Sequence, residues 1–502
     1  MTRRISDILF ADAARSLVLI DHDGRRLDHR AFCDLVETVT SQLATLDVSG
    51  GDRVLLVAEN SALYAASIFA VNRLDAWAVL LNARQTAPEI EAVATHAAPK
   101  LTLFLTAGSE AAARHAQCAQ AAVHAETSYG PLVVKRGAGE PEPVAPGAAD
   151  RVAALLYTSG TTGTPRGVML TNANILWNAA TSAELRLMTA NDEMVGVLPG
   201  THVFGFASTL MSAILVGSTL RLVPRFSPEA VLSAFADGAT MMNAVPQMYQ
   251  RLLEHCRGVP PDAPRLRYLA AGGAPLDPDV KARTEALFGL PLNNGYGITE
   301  CSPGIAATRP LSPRQDVSVG PALDGVEVRI DQPDKNGVGE LLVKSGGVMK
   351  GYYRDPEATA RVFTDGFFRT GDLAKIGTDG AITIMGRTKE LIIRSGFNVY
   401  PPEVEAALTA HPAIEEAAVV GRPGNGGNEE VVAFVRASHR LPGSLGLPGD
   451  LADHLSARLA AYKRPQHIIL INAFPVAATG KVLKHRLLQE FAAHIPSESL
   501  TP

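Results

Sequence analysis

The chain holds four cysteines, Cys33, Cys118, Cys256 and Cys301, and no two of them stand close enough to form a CxxC pair. That spacing offers neither a disulfide framework nor a zinc site, so a reducing, cytoplasmic setting is expected. An excess of one charge is missing too. Lys and Arg total 46 against 51 Asp and Glu, a net charge of −5, which leaves no field that would make bulk nucleic acid or an anionic membrane the dominant partner. Long apolar runs are also lacking. The N-terminal MTRRISDILFADAARS is broken by Asp7 and Asp12 before the h-region of a secretory signal can form. The longest run, Met211 to Val223, is interrupted by Ser218 and Arg221; it falls short of the roughly 20 residues that span a bilayer and reads as a helix followed by a buried strand.

What is present is length and a changing texture. At 502 residues the chain is too long for one ordinary core, so two or more domains are expected. Up to about residue 150, apolar runs such as Arg53-Val-Leu-Leu-Val-Ala alternate with Ala-rich stretches such as Ser61 to Asn72, which is α/β patterning. Val152 to Tyr157 and Leu266 to Pro275 each read as a strand running into a loop of small residues and then a helix, the second helix opening near Asp277, as in parallel-sheet crossovers. After Gly320 the pattern shortens to alternating strands, Val326 to Ile330 and Gly339 to Lys344, suggesting a small barrel or sheet. From Gly386 onward, strands at Ala417–Val420, Val431–Val435 and His467–Ile471 with helices at Pro402–Ala410 and Gly449–Leu459 suffice for a separate α+β domain.

One loop carries a chemistry. Tyr157-Thr-Ser-Gly-Thr-Thr-Gly-Thr-Pro-Arg-Gly167 packs three glycines and five Ser or Thr hydroxyls behind a strand. Glycines let backbone N–H groups crowd around an oxyanion, and hydroxyls add donors without bulk, so the loop suits phosphate. No Gly-Lys-Ser/Thr ends it, so it is not a Walker A sequence. The segment resembles the phosphate-binding motif of the adenylate-forming superfamily, which includes acyl-CoA synthetases, peptide-synthetase adenylation domains and firefly luciferase. Four further motifs follow in that family's order: Asn294-Gly-Tyr-Gly-Ile-Thr-Glu300, Phe368-Arg-Thr-Gly-Asp372, Gly386-Arg-Thr-Lys-Glu-Leu-Ile-Ile-Arg-Ser-Gly396 and Thr479-Gly-Lys481. The family usually places Lys before the last Gly of the phosphate loop; here it is Arg166, a planar fork in place of a point charge.

The resemblance implies an α/β protein with a large N-terminal domain, residues 1–386, of two parallel-rich sheets and a small β-barrel, and a mobile α+β domain, residues 387–502. It implies ATP, Mg²⁺ and coenzyme A, with an acid first joined to AMP and then passed to the CoA thiol. Thr158, Ser159, Gly160, Thr161, Thr162, Gly163, Thr164 and Arg166 would hold the phosphates; Gly272, Gly273, Ala274, Asn294, Gly295, Tyr296 and Gly297 would frame adenine. Thr299 would touch the α-phosphate, Glu300 would carry Mg²⁺, and Asp372 with Arg387 would take the ribose. Lys481 would join acid and α-phosphate, Lys389 would be the hinge, and Ser395, Gly396 and Phe397 would face CoA. Standing alone, Asp372 would read as a turn aspartate and Lys481 as surface charge; the motifs lift them.

The acyl pocket implied by the resemblance draws on His202, Val203, Phe204, Asn243, Val245, Gly297 and Ile298. The resemblance also makes His202 a gate or carboxylate-side residue, counted with Lys481, Thr299 and Glu300 as catalytic; standing alone it would read as a hydrogen-bonded structural histidine. No aspartate stands between His202 and Phe206 for a substrate ammonium, which disfavours an amino acid, and apart from His202 the pocket segments carry no cation for a second carboxylate. The expected activity is ligation of a fatty acid to CoA. An aryl acid such as a benzoate or hydroxycinnamate is the alternative, since both fit an apolar slot, and a carrier-protein-loading enzyme would share every motif. The family also raises the expectation of a homodimer.

Overall fold

Strand and helix follow from two repeating patterns, continuous β-branched and leucine runs that need cover on both faces, and helices opened by Ser, Thr or Asp caps. The computed structural model describes residues 3–11, 16–159, 165–394, 397–424, 429–437, 449–476 and 482–495. They fall into two units, the first Met1–Val328, Val343–Phe368 and Thr378–Ile382, the second Arg329–Leu342, Arg369–Gly377 and Thr383–Pro502.

Two eight-stranded sheets build the first unit. One runs in the order Gly304–Ala307, Leu292–Gly297, Tyr268–Gly272, Met241–Ala244, Glu193–Gly196, Thr219–Leu222, Val18–Ile20, Arg26–Asp28; its inner strands are parallel and its two edges antiparallel. The other runs Gly351–Tyr352, Pro165–Thr171, Val152–Ser159, Trp77–Asn82, Arg53–Ala58, Leu101–Phe104, Gly130–Arg136, Ala122–Thr127. The Arg53–Ala58 run is buried throughout, and even Arg53 is enclosed, donating to the carbonyls of Gly51, Ala97, Ala98 and Glu140. Helix Ala62–Arg73, capped by Ser61, is buried from Ala62 to Asn72. Its flank is tied down by Asn60, whose Nδ2 donates to the carbonyls of Gly196, Leu198 and Val223.

The crossover at Tyr268–Gly272 has the expected form: Asp277 caps helix Pro278–Phe288, which leads to the parallel partner Leu292–Gly297. The crossover expected after Val152 does not. Val152–Ser159 turns back on itself, pairing antiparallel with Pro165–Thr171 in the register Tyr157↔Gly167, Thr158↔Arg166, before helix Asn172–Leu185 begins. The helix waits because Thr171 and Asn174 cap it reciprocally, and the residues before them are taken up by the ladder to Val152–Ser159.

A five-stranded sheet is made by Glu327–Asp331, Gly339–Lys344, Phe367–Ile376 and Phe363–Thr364, with Ile382–Arg387 beside Phe367–Ile376. The second unit also holds a three-stranded sheet, Ile414–Pro423 antiparallel to Glu429–Ala437 and this parallel to His467–Leu470. Helices Pro401–Thr409 and Leu451–Ser456 pack on it through Val404, Leu408, Leu451 and Leu455. The latter helix is shorter than the expected Gly449–Leu459. Among the described residues no helix is long and apolar enough to cross a membrane.

Candidate active site

In the first unit the phosphate motif begins on strand Val152–Ser159 and ends on its antiparallel partner Pro165–Thr171. Gly160, Thr161, Thr162, Gly163 and Thr164 lie outside the described residues, but the strands on either side fix Thr158 opposite Arg166. Arg166 places its guanidinium 5.4 Å from the ring centre of Tyr352, and Tyr352 lies on the short strand paired to the same hairpin, opposite Val168. The Tyr352 hydroxyl donates to Glu300 Oε1 at 3.0 Å. Burial, reinforced by the Glu300 charge, pushes the Tyr352 phenol far above its ordinary value, so it stays a donor. The Glu300 carbonyl accepts from Met349 N at 2.8 Å. Thr299 and Glu300 form a single turn of 3₁₀-helix just past strand Leu292–Gly297, with Thr299 buried.

Among the described residues no group of three or more ligand-type side chains could enclose a metal. The one carboxylate at Glu300 is nevertheless the donor set that Mg²⁺ needs when phosphate oxygens and water supply the rest. Mg²⁺ bound there would neutralise phosphate charge.

The adenine-side residues line the ends of two parallel strands. Gly272 faces Gly295 in register, Gly273 takes a left-handed φ of +78°, and Ala274 is half-buried. Tyr296 and Gly297 end the neighbouring strand, and a Cβ on Gly297 would stand 2.2 Å from the Pro303 carbonyl oxygen. Asn294 is buried and spends its Nδ2 on the Val317 carbonyl at 2.8 Å, which pins the loop beyond rather than leaving the amide free.

Of the residues expected to line the acyl pocket, Phe204 and Asn243 stand on one face of the same sheet. Phe204 presses its ring on Gly272, where an added Cβ would lie 3.1 Å from Phe204 Cε1 and 3.3 Å from the Gly295 carbonyl oxygen. The ring is thus packed against strand backbone, and the paired glycines leave the surface beside it flat. Deeper down, Asn243 is fully buried and donates from Nδ2 to Thr209 Oγ1 at 3.1 Å. Thr209 belongs to a π-helical turn, Phe206–Leu210, whose Ser208 hydroxyl accepts from Asn178 Nδ2 at 3.1 Å. Val203 is buried and Val245 and Ile298 are half-buried. His202 is exposed, and its Nδ1 accepts from Phe204 N at 3.4 Å to open the short helix Val203–Gly205.

The second unit brings two of the expected residues together. Asp372 is buried, and its carboxylate is 3.3 Å from Arg387 Nε across adjacent strands. The turn that delivers Asp372 is held by Gly371 N donating to Glu340 Oε1 at 3.0 Å and by Thr370 Oγ1 donating to the Leu341 carbonyl at 2.8 Å. Lys389 is exposed in the 3₁₀ turn Thr388–Glu390. Phe397, also exposed, stacks on Tyr462 with ring centres 4.6 Å apart. Ser395, Gly396 and Lys481 lie outside the described residues. Sequence reasoning overlooked Tyr352 and Thr209; the tyrosine pair of Gly351-Tyr-Tyr353 was the only signal for the first, and the second had none.

The AMP-binding enzyme family matches residues 11–353, and the AMP-binding enzyme C-terminal domain matches residues 403–481. A feruloyl-CoA synthase of Amycolatopsis is 31% identical, covering 94% of this chain and 95% of its own. An indoleacetate–CoA ligase of Aromatoleum aromaticum is 32% identical, covering 93% of each. The long-chain-fatty-acid–CoA ligase FadD13 of Mycobacterium tuberculosis is 30% identical, covering 94% of each. Among solved structures, ATP-bound MatB from Rhodopseudomonas palustris superposes with a TM-score of 0.85 at 28% identity, covering 98% of this chain and 99% of its own.

Proposed function

Because this chain belongs to the AMP-binding enzyme family, as an AMP-forming acyl-CoA synthetase working with ATP, Mg²⁺ and coenzyme A, we propose that its acid is aromatic. The observation that carries the choice is the flat surface made where the Phe204 ring packs against the bare backbone of Gly272 beside Gly295, with amide and hydroxyl groups at Asn243 and Thr209 deeper on the same face. A planar ring can lie against such a surface. A long alkyl chain asks instead for an apolar tunnel that continues, and polar groups at its floor would go unpaired. The relatives acting on feruloyl and indoleacetate groups support the same class. The similarity to FadD13 keeps a fatty acid as the second reading.

A carboxylate is a poor electrophile, and joining it to AMP supplies a good leaving group. On this reading a carboxylate oxygen attacks the α-phosphorus and the bond to pyrophosphate breaks; the CoA sulfur then attacks the acyl carbon and AMP departs. Thr158, Ser159, Gly160, Thr161, Thr162, Gly163, Thr164 and Arg166 offset the phosphate charge in the first step, where like charges must approach. Thr299 donates to the α-phosphate, Asp372 accepts from the ribose hydroxyls with Arg387 holding it in place, and Lys481 supplies the cation between acid and phosphate. We keep the division into residues 1–386 and 387–502, with Lys389 as the hinge and Ser395, Gly396 and Phe397 turned to CoA for the second step. All four cysteines are free thiols, which supports a reducing cytoplasm; a homodimer is the family expectation, tested by light scattering.

Pyrophosphate release across a panel of aryl and alkanoic acids, each with and without CoA, tests the reading. We expect kcat/KM at least tenfold higher for the best aryl acid than for any saturated fatty acid, and CoA-dependent thioester formation. The reverse order moves the assignment to the fatty-acid reading, and transfer to a phosphopantetheinyl carrier but not to CoA moves it to a loading enzyme.

A further inference from the structure

We propose that Asn243 sets the specificity of the acyl slot, its Oδ1 accepting a hydrogen bond from a hydroxyl or N–H carried on the aromatic ring of the substrate. This rests on the aryl reading above and adds what the ring must bear. Strand Met241–Ala244 sends Met242 and Ala244 into the apolar core on one face. By the alternation of a strand, Asn243 therefore points to the other. That other face is the one bearing Phe204 and Thr209, because Asn243 reaches Thr209 and the Cβ position of Gly272 meets Phe204. Asn243 is level with Ala270, and Gly272 is two residues further along the same strand. The acceptor thus lies about 6.6 Å deeper than the Gly272 and Gly295 row, by strand rise, which is the direction in which a ring held by its carboxyl group at the strand ends would extend.

The orientation of the amide follows from its neighbour. The single hydroxyl hydrogen of Thr209 is directed at the Phe204 carbonyl, 3.4 Å away, so Thr209 can only accept from Asn243. Asn243 must then turn Nδ2 toward Thr209, and Oδ1 is left facing away. That oxygen is buried and has no hydrogen-bond partner. A buried carbonyl without a donor is a costly feature, kept where something else completes it. Being an acceptor alone, it selects donors: a phenol hydroxyl, an aniline or an indole N–H satisfies it. A methoxy oxygen or a second carboxylate placed there would set lone pair against lone pair.

The experiment compares kcat/KM for matched acids that differ in one hydrogen-bond donor: 3- and 4-hydroxycinnamate against cinnamate and their methoxy analogues, the corresponding benzoates, and indole-3-acetate against its N-methyl analogue. In the native enzyme we expect at least one donor-bearing acid to exceed its matched analogue tenfold or more. Asn243→Leu should bring that ratio near one by weakening the donor-bearing acid while the analogue keeps or gains activity. Asn243→Ala, with the same expected ratio, takes its place if the leucine variant fails to fold. A native ratio within threefold for every pair, or parallel loss of both acids in the variants, overturns the proposal and leaves the aryl assignment standing. Turnover of alkanoic acids with no turnover of any aryl acid overturns both.

Discussion

The hydroxyl of Tyr352 is the smallest group whose removal tests how Glu300, the carboxylate proposed to carry Mg²⁺, is held. Tyr352→Phe deletes one O–H donor, 3.0 Å from Glu300 Oε1, and keeps the ring on which Arg166 rests. A hydrogen bond to a charged group contributes roughly 1.5–3 kcal/mol. Glu300 is half-buried, so water can replace part of it, and the lower end applies. About 1.4 kcal/mol is a factor of ten in rate. We therefore expect pyrophosphate–ATP exchange to show kcat/KM for ATP about tenfold lower, with a higher Mg²⁺ concentration needed for half-maximal rate. The melting temperature should move little, since the backbone pairing to Val168 is untouched. Because burial and Glu300 drive the phenol far above its ordinary value, the ratio of native to variant rates should stay flat between about pH 6 and 9, well below the unperturbed tyrosine pKa. An unchanged rate with unchanged Mg²⁺ dependence refutes the positioning role. A ratio that breaks within that range refutes the reasoning about the phenol.

Three other outcomes are expected. Burial raises the Asp192 carboxyl, but hydrogen bonds from Arg267, Thr189 and Thr240 outweigh it and hold the group at about 2. The native state therefore gains stability above the ordinary carboxylate value and loses it as pH falls from about 4 to about 2, roughly 1–2 kcal/mol after screening; urea titrations of Asp192→Asn should show the gap to the native protein shrinking across that window. Gly297→Ala puts a methyl 2.2 Å from a backbone oxygen, which requires the turn before Thr299 to shift and should cost about 1–3 kcal/mol in thermal unfolding along with most activity; a native melting temperature would contradict that close approach. Lys481→Ala should depress adenylation by hundreds-fold, on the order of 3 kcal/mol or above, while thioester formation from supplied acyl-adenylate stays nearly intact. Equal loss in both half-reactions would count against two separate arrangements for the two steps.

Legibility in the sequence tracked the range of the interactions. The parallel strands announced themselves because Arg53–Ala58 and Tyr268–Gly272 are apolar runs with helices at fixed distances, and Asp277 is a cap whose effect is local. The phosphate loop was legible as chemistry but not as topology. Its glycines and hydroxyls suit any tight turn, and the returning strand Pro165–Thr171 is only 7 residues long and shows no alternation before the capping box of the next helix. The contacts that complete the site join residues far apart in the chain. Tyr352 meets Glu300 across 52 residues, and Asn243 meets Thr209 across 34. Nothing in local pattern ties such partners together, so the motifs named Glu300 and Asn243 without naming what holds them.

The first of these long-range contacts also joins the two sheets of the first unit. Arg166 and Tyr352 stand on the sheet that presents the phosphate hairpin. Asn243, Gly272 and Gly295 stand on the other, and Glu300 follows directly from its strand Leu292–Gly297. The Tyr352 hydroxyl therefore links the sheet that carries the phosphate motif to the sheet that carries both the proposed adenine residues and the proposed acyl residues. Arg166 fits this arrangement better than the lysine usual in the family would. The Arg166 guanidinium lies within cation–π range of the Tyr352 ring, 5.4 Å from its centre, and has further N–H groups to direct outward, whereas an ammonium offers a strongly hydrated point charge. The departure at position 166 thus changes how the ring under the carboxylate is steadied, and it leaves the face that chooses the acid alone. Substitutions at Asn243, which pairs with Ala270 two residues before Gly272, test whether acid preference can vary apart from the residues proposed to hold adenine.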